Sequence, residues 1–523
     1  MTDFEIQIDG RTVQAHFGQS VLDAARSVGV DIPALCYLEK CGPLNSCLVC
    51  LVKVNGRLVP SCGTKVQPGM VIESETTEVH EARKTALELL FSDHVGDCLS
   101  PCDRLCPLGL NIPLMMRQVQ AGQLGEAALN ARRSLPLAGI LGRLCHHPCE
   151  QGCRRGAWDE PAGIRDLERF VTDWERNKTA AGPRAILQFA PTGKTVVIIG
   201  SGPTGLSAAH YLARQGHSVT VVDRHQHAGG SLRDVPESEL PSAVREAEIE
   251  RLRELRIDFK LGVELGDHVR VDGLVRGSDA ILIATGTCDA EETRKLGLPF
   301  SEAALKVDPN TCQTLVSKVF AAGAVVKPVK QLVRAMAEGR AAAQCIHLFL
   351  QGKIPRRPEK KFSSIMGRLD PGELKLFIGV SNSAARATPC ERCAGYNHKE
   401  ATSEAARCLH CDCASSGNCL LQHYAEVYGA DASRFRLERK TFERQVQPGG
   451  IVFEAGKCIL CGICVKLTEL AREPLGLTFI GRGFDVRVAA PLNHTIEEGL
   501  QKVADECVKH CPTGALVKIT LAK

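Results

Sequence analysis

The chain has 523 residues, 44% hydrophobic and 24% charged, a formal net charge of +4 and twenty-five cysteines. That length holds several packed domains and excludes a single small fold. No apolar run reaches about eighteen residues, so no membrane-spanning helix is expected. The opening Met-Thr-Asp-Phe-Glu lacks the basic and apolar regions of a secretory signal, which points to the reducing cytoplasm. There, grouped thiols bind metal more often than they form disulfides. The basic balance counts every cysteine as neutral. Metal-bound thiolates would make the loaded chain acidic, and no basic stripe interleaved with aromatics suggests nucleic acid.

Residues 1–80 open with the alternating Phe4–Asp9, a strand pattern ending in the turn Asp9-Gly10. Ser20–Arg26 reads as a capped helix. Cys36, Cys47, Cys50 and Cys62 follow, with ten, two and eleven residues between them. Three loop thiolates and a distant fourth suit a [2Fe–2S] centre, although four cysteines alone also suit zinc. The segments Cys36–Lys40, Asn45–Val54 and Val59–Cys62 resemble the N-terminal ferredoxin domain of the iron–sulfur subunit of complex I and related hydrogenases. The resemblance favours iron over zinc and leaves Cys41 as a structural thiol.

In residues 81–188 the pattern changes. His94, Cys98, Cys102 and Cys106 stand three residues apart from one another, and Cys145, Cys149 and Cys153 repeat that spacing. With Pro107–Pro113 and Gly142–Cys153, the block resembles the helical domain of the small subunit of glutamate synthase and of dihydropyrimidine dehydrogenase. The resemblance implies two [4Fe–4S] clusters. One would use Cys98, Cys102 and Cys153 with His94; the other would use Cys106, Cys145 and Cys149. Six thiolates cannot fill eight positions, and Glu168 falls where that family has a further Gln or Glu ligand.

Residues 189–352 contain the buried strand Lys194–Gly200, the loop Gly200-Ser-Gly202-Pro203-Thr204-Gly205, an Ala-rich helix over 206–215 and a strand ending at Asp223. Glycines there let backbone approach a pyrophosphate at the helix N-terminus, and Asp223, followed by Arg224, can meet ribose hydroxyls. Gly229–Arg233, with Gly230, Ser231, Leu232 and Arg233, resembles the flavin-contacting turn of the same glutamate synthase family. That favours FAD, with Thr285, Gly286 and Gly323 completing the site. In two respects the chain departs from that family. About twenty residues separate Gly286 from Val307, too few for the family's NADPH domain, since a βαβ half alone takes about 30 residues. Ala324 stands where the family has an Asp facing the flavin side chain. Cys288, Cys312 and Cys345 read as structural thiols, and Val329–Leu350 as a closing helix.

Residues 353–440 begin as a linker with a short ordered insert. Cys408, Cys411, Cys413 and Cys419 then fall within twelve residues. Two occupants fit: a [4Fe–4S] cluster on those four, or zinc on Cys390, Cys393, Cys408 and Cys411. In residues 441–523, Cys458, Cys461 and Cys464 start a ferredoxin motif whose fourth ligand is the distant Cys511, followed by Pro512. This end again resembles the complex I subunit. Cys507 has no second motif to serve.

The expected fold is multidomain α/β and α+β: a β-grasp ferredoxin, a helical double-cluster domain, a Rossmann-like FAD domain and a C-terminal ferredoxin-like domain. The expected function is an electron-transfer oxidoreductase subunit. It would carry FAD, one [2Fe–2S] and about four [4Fe–4S] centres, and would join partners such as an NADH-oxidising flavoprotein, a hydrogenase or a formate dehydrogenase. No other catalytic constellation is legible. The alternatives are a self-contained flavoenzyme reduced by ferredoxin and a scaffold with a vestigial flavin site. Reconstituted anaerobically, the chain should bind about eighteen irons, measured colorimetrically; about fourteen irons with one zinc would favour the zinc site.

Overall fold

The structure, a computed structural model, describes residues 3–178, 188–264, 271–288, 300–301, 304–379, 381–389 and 395–519. Two compact units emerge. The first is Met1–Ser100, Lys361–Val380 and His410–Lys523; the second is Pro101–Lys360 and Ser381–Leu409.

In the first unit, β1 (Asp3–Ile8) and β2 (Arg11–His16) form a hairpin. Asp9 and Gly10 take the positive φ angles, 48° and 76°, that such a turn requires. Ser20 caps α1 (Val21–Ser27) by accepting from the Asp23 amide at 3.1 Å. With β3 (Leu51–Val54), β4 (Arg57–Pro60) and β5 (Val71–Glu73), the sheet order is β2-β1-β5-β3-β4. α2 (Thr77–Leu90) carries the fully buried Arg83, which donates to Leu51 O at 2.9 Å and to the Tyr428 hydroxyl at 2.7 Å. One guanidinium thus ties the N-terminal sheet to the C-terminal part of the same unit.

The second unit begins with helices α3 (Pro101–Leu105), α4 (Ile112–Gln120), α5 (Leu124–Ser134), α6 (Ala138–Leu144), α7 (Pro148–Gln151) and α8 (Ile164–Lys178). The strands β6 (Thr195–Ile199), β7 (Ser218–Asp223), β8 (Asp258–Leu261), β9 (Ala280–Ile283) and β10 (Val319–Ala321) form a parallel sheet in the order β8-β7-β6-β9-β10. Between β6 and β7 runs α9 (Pro203–Arg214). It starts inside the glycine loop rather than at Leu206, because Pro203 suits the first helical turn. The closing helix α10 (Leu332–Leu350) packs along α9. Arg132 on α5 joins the two parts of this unit, donating at 2.8 Å to Glu175 of α8 and at 2.7 Å to both oxygens of Glu248.

The linker over 353–388 contains α11 (Pro371–Ile378), whose capping box pairs Asp370 with Glu373; α11 belongs to the first unit. α12 (His398–Ala405) belongs to the second. The first unit ends with α13 (Leu420–Val427), β11 (Gln445–Val446), β12 (Ile451–Phe453), α14 (Ile463–Leu470), α15 (Ala504–His510) and β13 (Leu516–Lys518). β12 pairs antiparallel with both β11 and β13.

In the second unit a buried ionic network fixes the segment after Cys153 to the segment before Cys408. Arg155 and Arg407 are both fully buried. Arg155 pairs with Asp159 at 2.7 Å and donates to Arg407 O at 3.0 Å; Arg407 pairs with Glu404 at 2.7 Å and Asp159 at 3.2 Å. Removing one member leaves a buried charge unpaired. Arg407→Ala should therefore destabilise the second unit by about 3–5 kcal/mol, read as an earlier transition in urea.

Candidate functional site

The first thiol set is presented by the loop before β3. Asn45 and Leu48 adopt left-handed φ angles of 53° and 54° there, turning the loop so that Cys47 and Cys50 face inward with Cys36 and Cys62. All four are buried, and the Cys50 and Cys62 sulfurs lie 3.4 Å apart. Hydrogen bonds from Cys47 and Cys62 hold Cys36 well below the usual thiol range, so charge is favoured on that member. Cys41 lies half-buried in the turn after it.

The C-terminal set surrounds one void. Cys458, Cys461, Cys464 and Cys511 line it together with Phe453 and Leu477. Gly462, at φ 81°, begins α14 between the second and third thiols. Burial pushes Cys458 up to about 11. Cys507 is not among the lining residues; its sulfur meets Cys464 O at 3.9 Å. The Ser46 hydroxyl donates to Cys461 O at 3.3 Å. Burial raises the Cys461 thiol, with a further contribution from charge on Cys36. Sets 458–511 and 36–62 are therefore neighbours in the first unit.

A third group in this unit lies around Cys98 and Cys413. Cys98 O accepts from the Cys413 amide at 3.3 Å, and Cys98 Sγ accepts from the Ser364 amide at 3.4 Å. Burial pushes Cys98 up to about 12, with Cys413 and Cys419 adding to the rise. Lys457 Nζ stands 3.7 Å from Cys413 Sγ and pairs with Glu454. Burial opposes the charge on Lys457, but Glu454 and Cys413 outweigh it and its pKa is raised. Cys419 Sγ accepts from the Gln422 amide at 3.4 Å and meets Pro512 O at 3.8 Å, beside Cys511. His94 Nδ1 is enclosed and has no hydrogen-bond partner. Burial, then Lys457, lowers His94 to about 3, so its ring is neutral. Cys411 is half-buried. Cys390 and Cys393 lie outside the described residues.

In the second unit, Cys106, Cys145, Cys149 and Glu168 line one small void with Pro107 and Val333. Burial raises Cys106 to about 11 and Cys145 to about 12, with Glu168 adding to each. It raises Glu168 itself to about 8. Arg340 of α10 donates to Leu108 O at 2.6 Å, holding the loop after Cys106. Cys102 lies in the core of this unit, and Cys153 and Cys408 pack against that core.

Beside this void is a cleft of about 890 Å³, lined in part by Cys145, Pro203, Ser231, Leu232 and Leu332. Arg143, Arg165 and Lys330 line it as well, together with Asp234 and Glu239. The glycine loop has the shape of a phosphate cradle. A Cβ at Gly200 would collide with Ala284 O, and one at Gly205 with Gly200 O, while Gly202 faces open space. Gly230, at φ 52°, approaches so closely that its Cβ would stand 2.8 Å from Gly202 Cα. Gly323 covers Thr204 in the same manner, and the Thr204 hydroxyl donates to Ala335 O at 3.0 Å. Asp223 accepts from the Ser201 amide and hydroxyl at 2.6 Å and from the His225 amide at 2.9 Å, so it also braces the loop. Arg224 lies against His225 at 3.4 Å. Arg233 donates to Ala228 O at 2.7 Å and Glu246 at 3.0 Å. Thr285 lies 3.1 Å from Cys288, and Gly286, at φ 86°, has open space. Ala324 sits in the turn Gly323–Val325 and offers no polar group. These residues fit a flavin dinucleotide.

Lys457, Arg340 and the shared lining by Cys145 were not legible in the spacing. Lys457 stands directly before the Cys458 motif, which was the available sign. Among the described residues no group of three or more His, Cys, Asp or Glu could hold a single metal ion. A multi-atom cluster makes a different demand, because its ligands stand apart around a void.

Residues 2–77 match the 2Fe-2S iron-sulfur cluster binding domain family. Residues 59–180 match dihydropyrimidine dehydrogenase domain II, 4Fe-4S cluster, and residues 162–339 match pyridine nucleotide-disulphide oxidoreductase. The chain carries iron–sulfur and flavoprotein-type oxidoreductase domains in series. It is 39% identical over 208 residues to the β subunit of NADP(+)-dependent formate dehydrogenase of Moorella thermoacetica, covering 36% of this chain and 29% of that one. It is 32% identical over 221 residues to the NAD-dependent dihydropyrimidine dehydrogenase subunit PreT of Escherichia coli K12, covering 41% and 52%. It is 34% identical over 210 residues to the glutamate synthase [NADPH] small chain of Mycobacterium tuberculosis H37Rv, covering 39% and 42%. The chain thus spans about half, or less, of the length of these relatives. A solved NAD+-reducing [NiFe]-hydrogenase chain aligns at 35% identity over 17% of this chain and 39% of that one, with a TM-score of 0.17. Among the described residues no helix is long and apolar enough to cross a membrane.

Glu168 lines the same void as Cys106, Cys145 and Cys149. Glu168→Ala should release about four irons from the reconstituted chain, whereas Glu168→Cys should retain them and lower the midpoint of one EPR signal. Unchanged iron and EPR in Glu168→Ala would make the residue a buried bystander.

Proposed function

We propose that this chain is an electron-transfer subunit of a multisubunit oxidoreductase, carrying FAD, one [2Fe–2S] and about four [4Fe–4S] centres. The observation that carries the reading is the double role of Cys145, which lines both the Cys106 void and the flavin-side cleft. Bound there, the flavin would exchange electrons in pairs or singly, and the clusters one at a time.

The chain's own residues supply the rest. Gly200, Gly202 and Gly205 bring backbone N–H groups to the pyrophosphate, braced by Asp223. Gly230, Ser231, Leu232 and Arg233 form the facing turn. Cys106, Cys145, Cys149 and Glu168 hold the cluster beside that cleft, with Leu332 and Val333 as the apolar wall. In the first unit, Ser46 and Cys461 link the N-terminal set to the Cys458 set, and Cys419 and Pro512 link that set to Cys98 and Cys413. Such a row suits the passage of electrons along the first unit to partner chains.

The finer organisation belongs to the same reading. A β-grasp ferredoxin domain occupies 1–80, a helical double-cluster domain 81–188 and a Rossmann-like FAD domain 189–352. A Cys-rich linker follows over 353–440, and a ferredoxin-like domain over 441–523. The partners are redox subunits of the NADH-dehydrogenase, hydrogenase or formate dehydrogenase type, and the compartment is the cytoplasm. The formate dehydrogenase β subunit and PreT are named as subunits of larger enzymes, which supports this company.

Hydride transfer needs nicotinamide stacked on the flavin. Only about twenty residues separate Gly286 from Val307, against the roughly 30 that even half a nucleotide-binding domain takes. Stopped-flow mixing of the FAD-loaded chain with NADH or NADPH should leave the flavin absorbance unchanged, while dithionite bleaches it. Rapid bleaching by either nucleotide would replace the relay by a self-contained flavoenzyme. Failure to retain FAD would favour the scaffold, for which Ala324 is the motive.

A further inference from the structure

On the relay reading, the thiols between residues 94 and 419 must be divided among clusters, and the fold divides them differently from the spacing. In chain order, Cys408, Cys411, Cys413 and Cys419 look like one ligand set. Cys408, however, belongs to the second unit, where its neighbour Arg407 is pinned to Arg155, two residues after Cys153. Cys413 and Cys419 belong to the first unit, where Cys98 bonds to the Cys413 backbone. Cys98, Cys102 and Cys106 look equally continuous, yet Cys98 lies in the first unit and the other two in the second.

The surroundings of Cys98 and Cys413 are built for a charged group. Lys457 is 4% exposed and directs its ammonium at Cys413 Sγ. A buried lysine beside a thiol and a glutamate balances negative charge. A Cβ on Gly514 would collide with Cys413 Sγ, so the Cys511–Pro512 turn closes one side. On the other side Gly96 admits both Lys457 and His94: its Cβ would stand 2.6 Å from Lys457 Cε and 3.3 Å from His94 Nε2. His94 Nδ1 is enclosed and unpartnered, and its ring shares the space beside Gly96 with Lys457.

The geometry points to a [4Fe–4S] site in the first unit made by Cys98, Cys413, Cys419 and His94, with Lys457 as a positioning residue that sets its potential. Cys102, Cys153 and Cys408 are left for a separate centre. The shared ligands therefore come from segments more than three hundred residues apart in the chain, and the run from Cys408 to Cys419 serves two centres rather than one.

EPR of the full-length chain, reconstituted anaerobically and reduced with dithionite, tests this division. Cys98→Ser, Cys413→Ser and Cys419→Ser should each abolish one and the same signal and release about four irons. Cys102→Ser, Cys153→Ser and Cys408→Ser should abolish a different one. His94→Cys should keep the first signal at a lower midpoint. Lys457→Gln removes no ligand, so it serves where a cysteine variant fails to fold. Loss of its positive charge should lower the midpoint of the first signal, because cations favour the more negative reduced form. The division is overturned if Cys98→Ser abolishes the signal lost in Cys102→Ser, if Cys413→Ser abolishes the one lost in Cys408→Ser, or if Lys457→Gln moves no midpoint. Wild-type iron below about ten per chain would instead sink the relay reading itself.

Discussion

Desolvated sulfur is the constraint on which the structure depends. Thiols at Cys98, Cys106, Cys145, Cys149, Cys458, Cys461 and Cys464 are buried in surroundings that oppose their ionisation. A thiolate is nevertheless the form that binds iron. Positive metal charge offsets the desolvation, so assembly of the centres and folding of these loops are linked. Glu168, which lines the Cys106 void, is buried to the same degree: it is 5% exposed, and burial raises its carboxyl above the ordinary range.

The architecture places polar supports behind these sites instead of inside them. Arg340 holds the loop after Cys106, the Arg155 and Arg407 pair holds the segments around Cys153 and Cys408, and Arg83 ties the first unit's N-terminal segment to its C-terminal one. Each guanidinium bonds to at least one backbone carbonyl, and its planar fork fixes the geometry. Loops short of regular structure thus gain rigidity, which a redox site needs if its ligands are not to reorganise on each electron transfer. Lys457 differs, since it faces sulfur directly and can adjust a potential.

The flavin-type domain retains its cradle while losing features around it. Gly200, Gly205 and Gly230 satisfy close backbone approaches that any side chain would block, and Gly202 beside them faces open space. Ala324 has no carboxylate to offer, and the stretch between Gly286 and Val307 is too short for a second nucleotide domain. What remains is a cleft opening toward Cys145. On the proposed reading a flavin there would have the void lined by Cys106, Cys145 and Cys149 beside it, which is the logic of a relay.

Local patterns were legible because their physics is local. The period-two run of β1, the Ser20 cap, the glycine loop between β6 and α9, and the Cys458–Cys461–Cys464 motif each act through neighbours within a few residues. Even the distant Cys511 was readable, through the proline that follows it. The sequence by itself determined the domain types and which cysteines gather in motifs. Which thiols meet was decided by tertiary structure alone. Cys98 meets the Cys413 backbone because the chain leaves the first unit between Ser100 and Pro101, re-enters it over Lys361–Val380 and returns to it finally at His410. Sequence spacing measures separation along the chain, whereas a cluster responds only to separation in space.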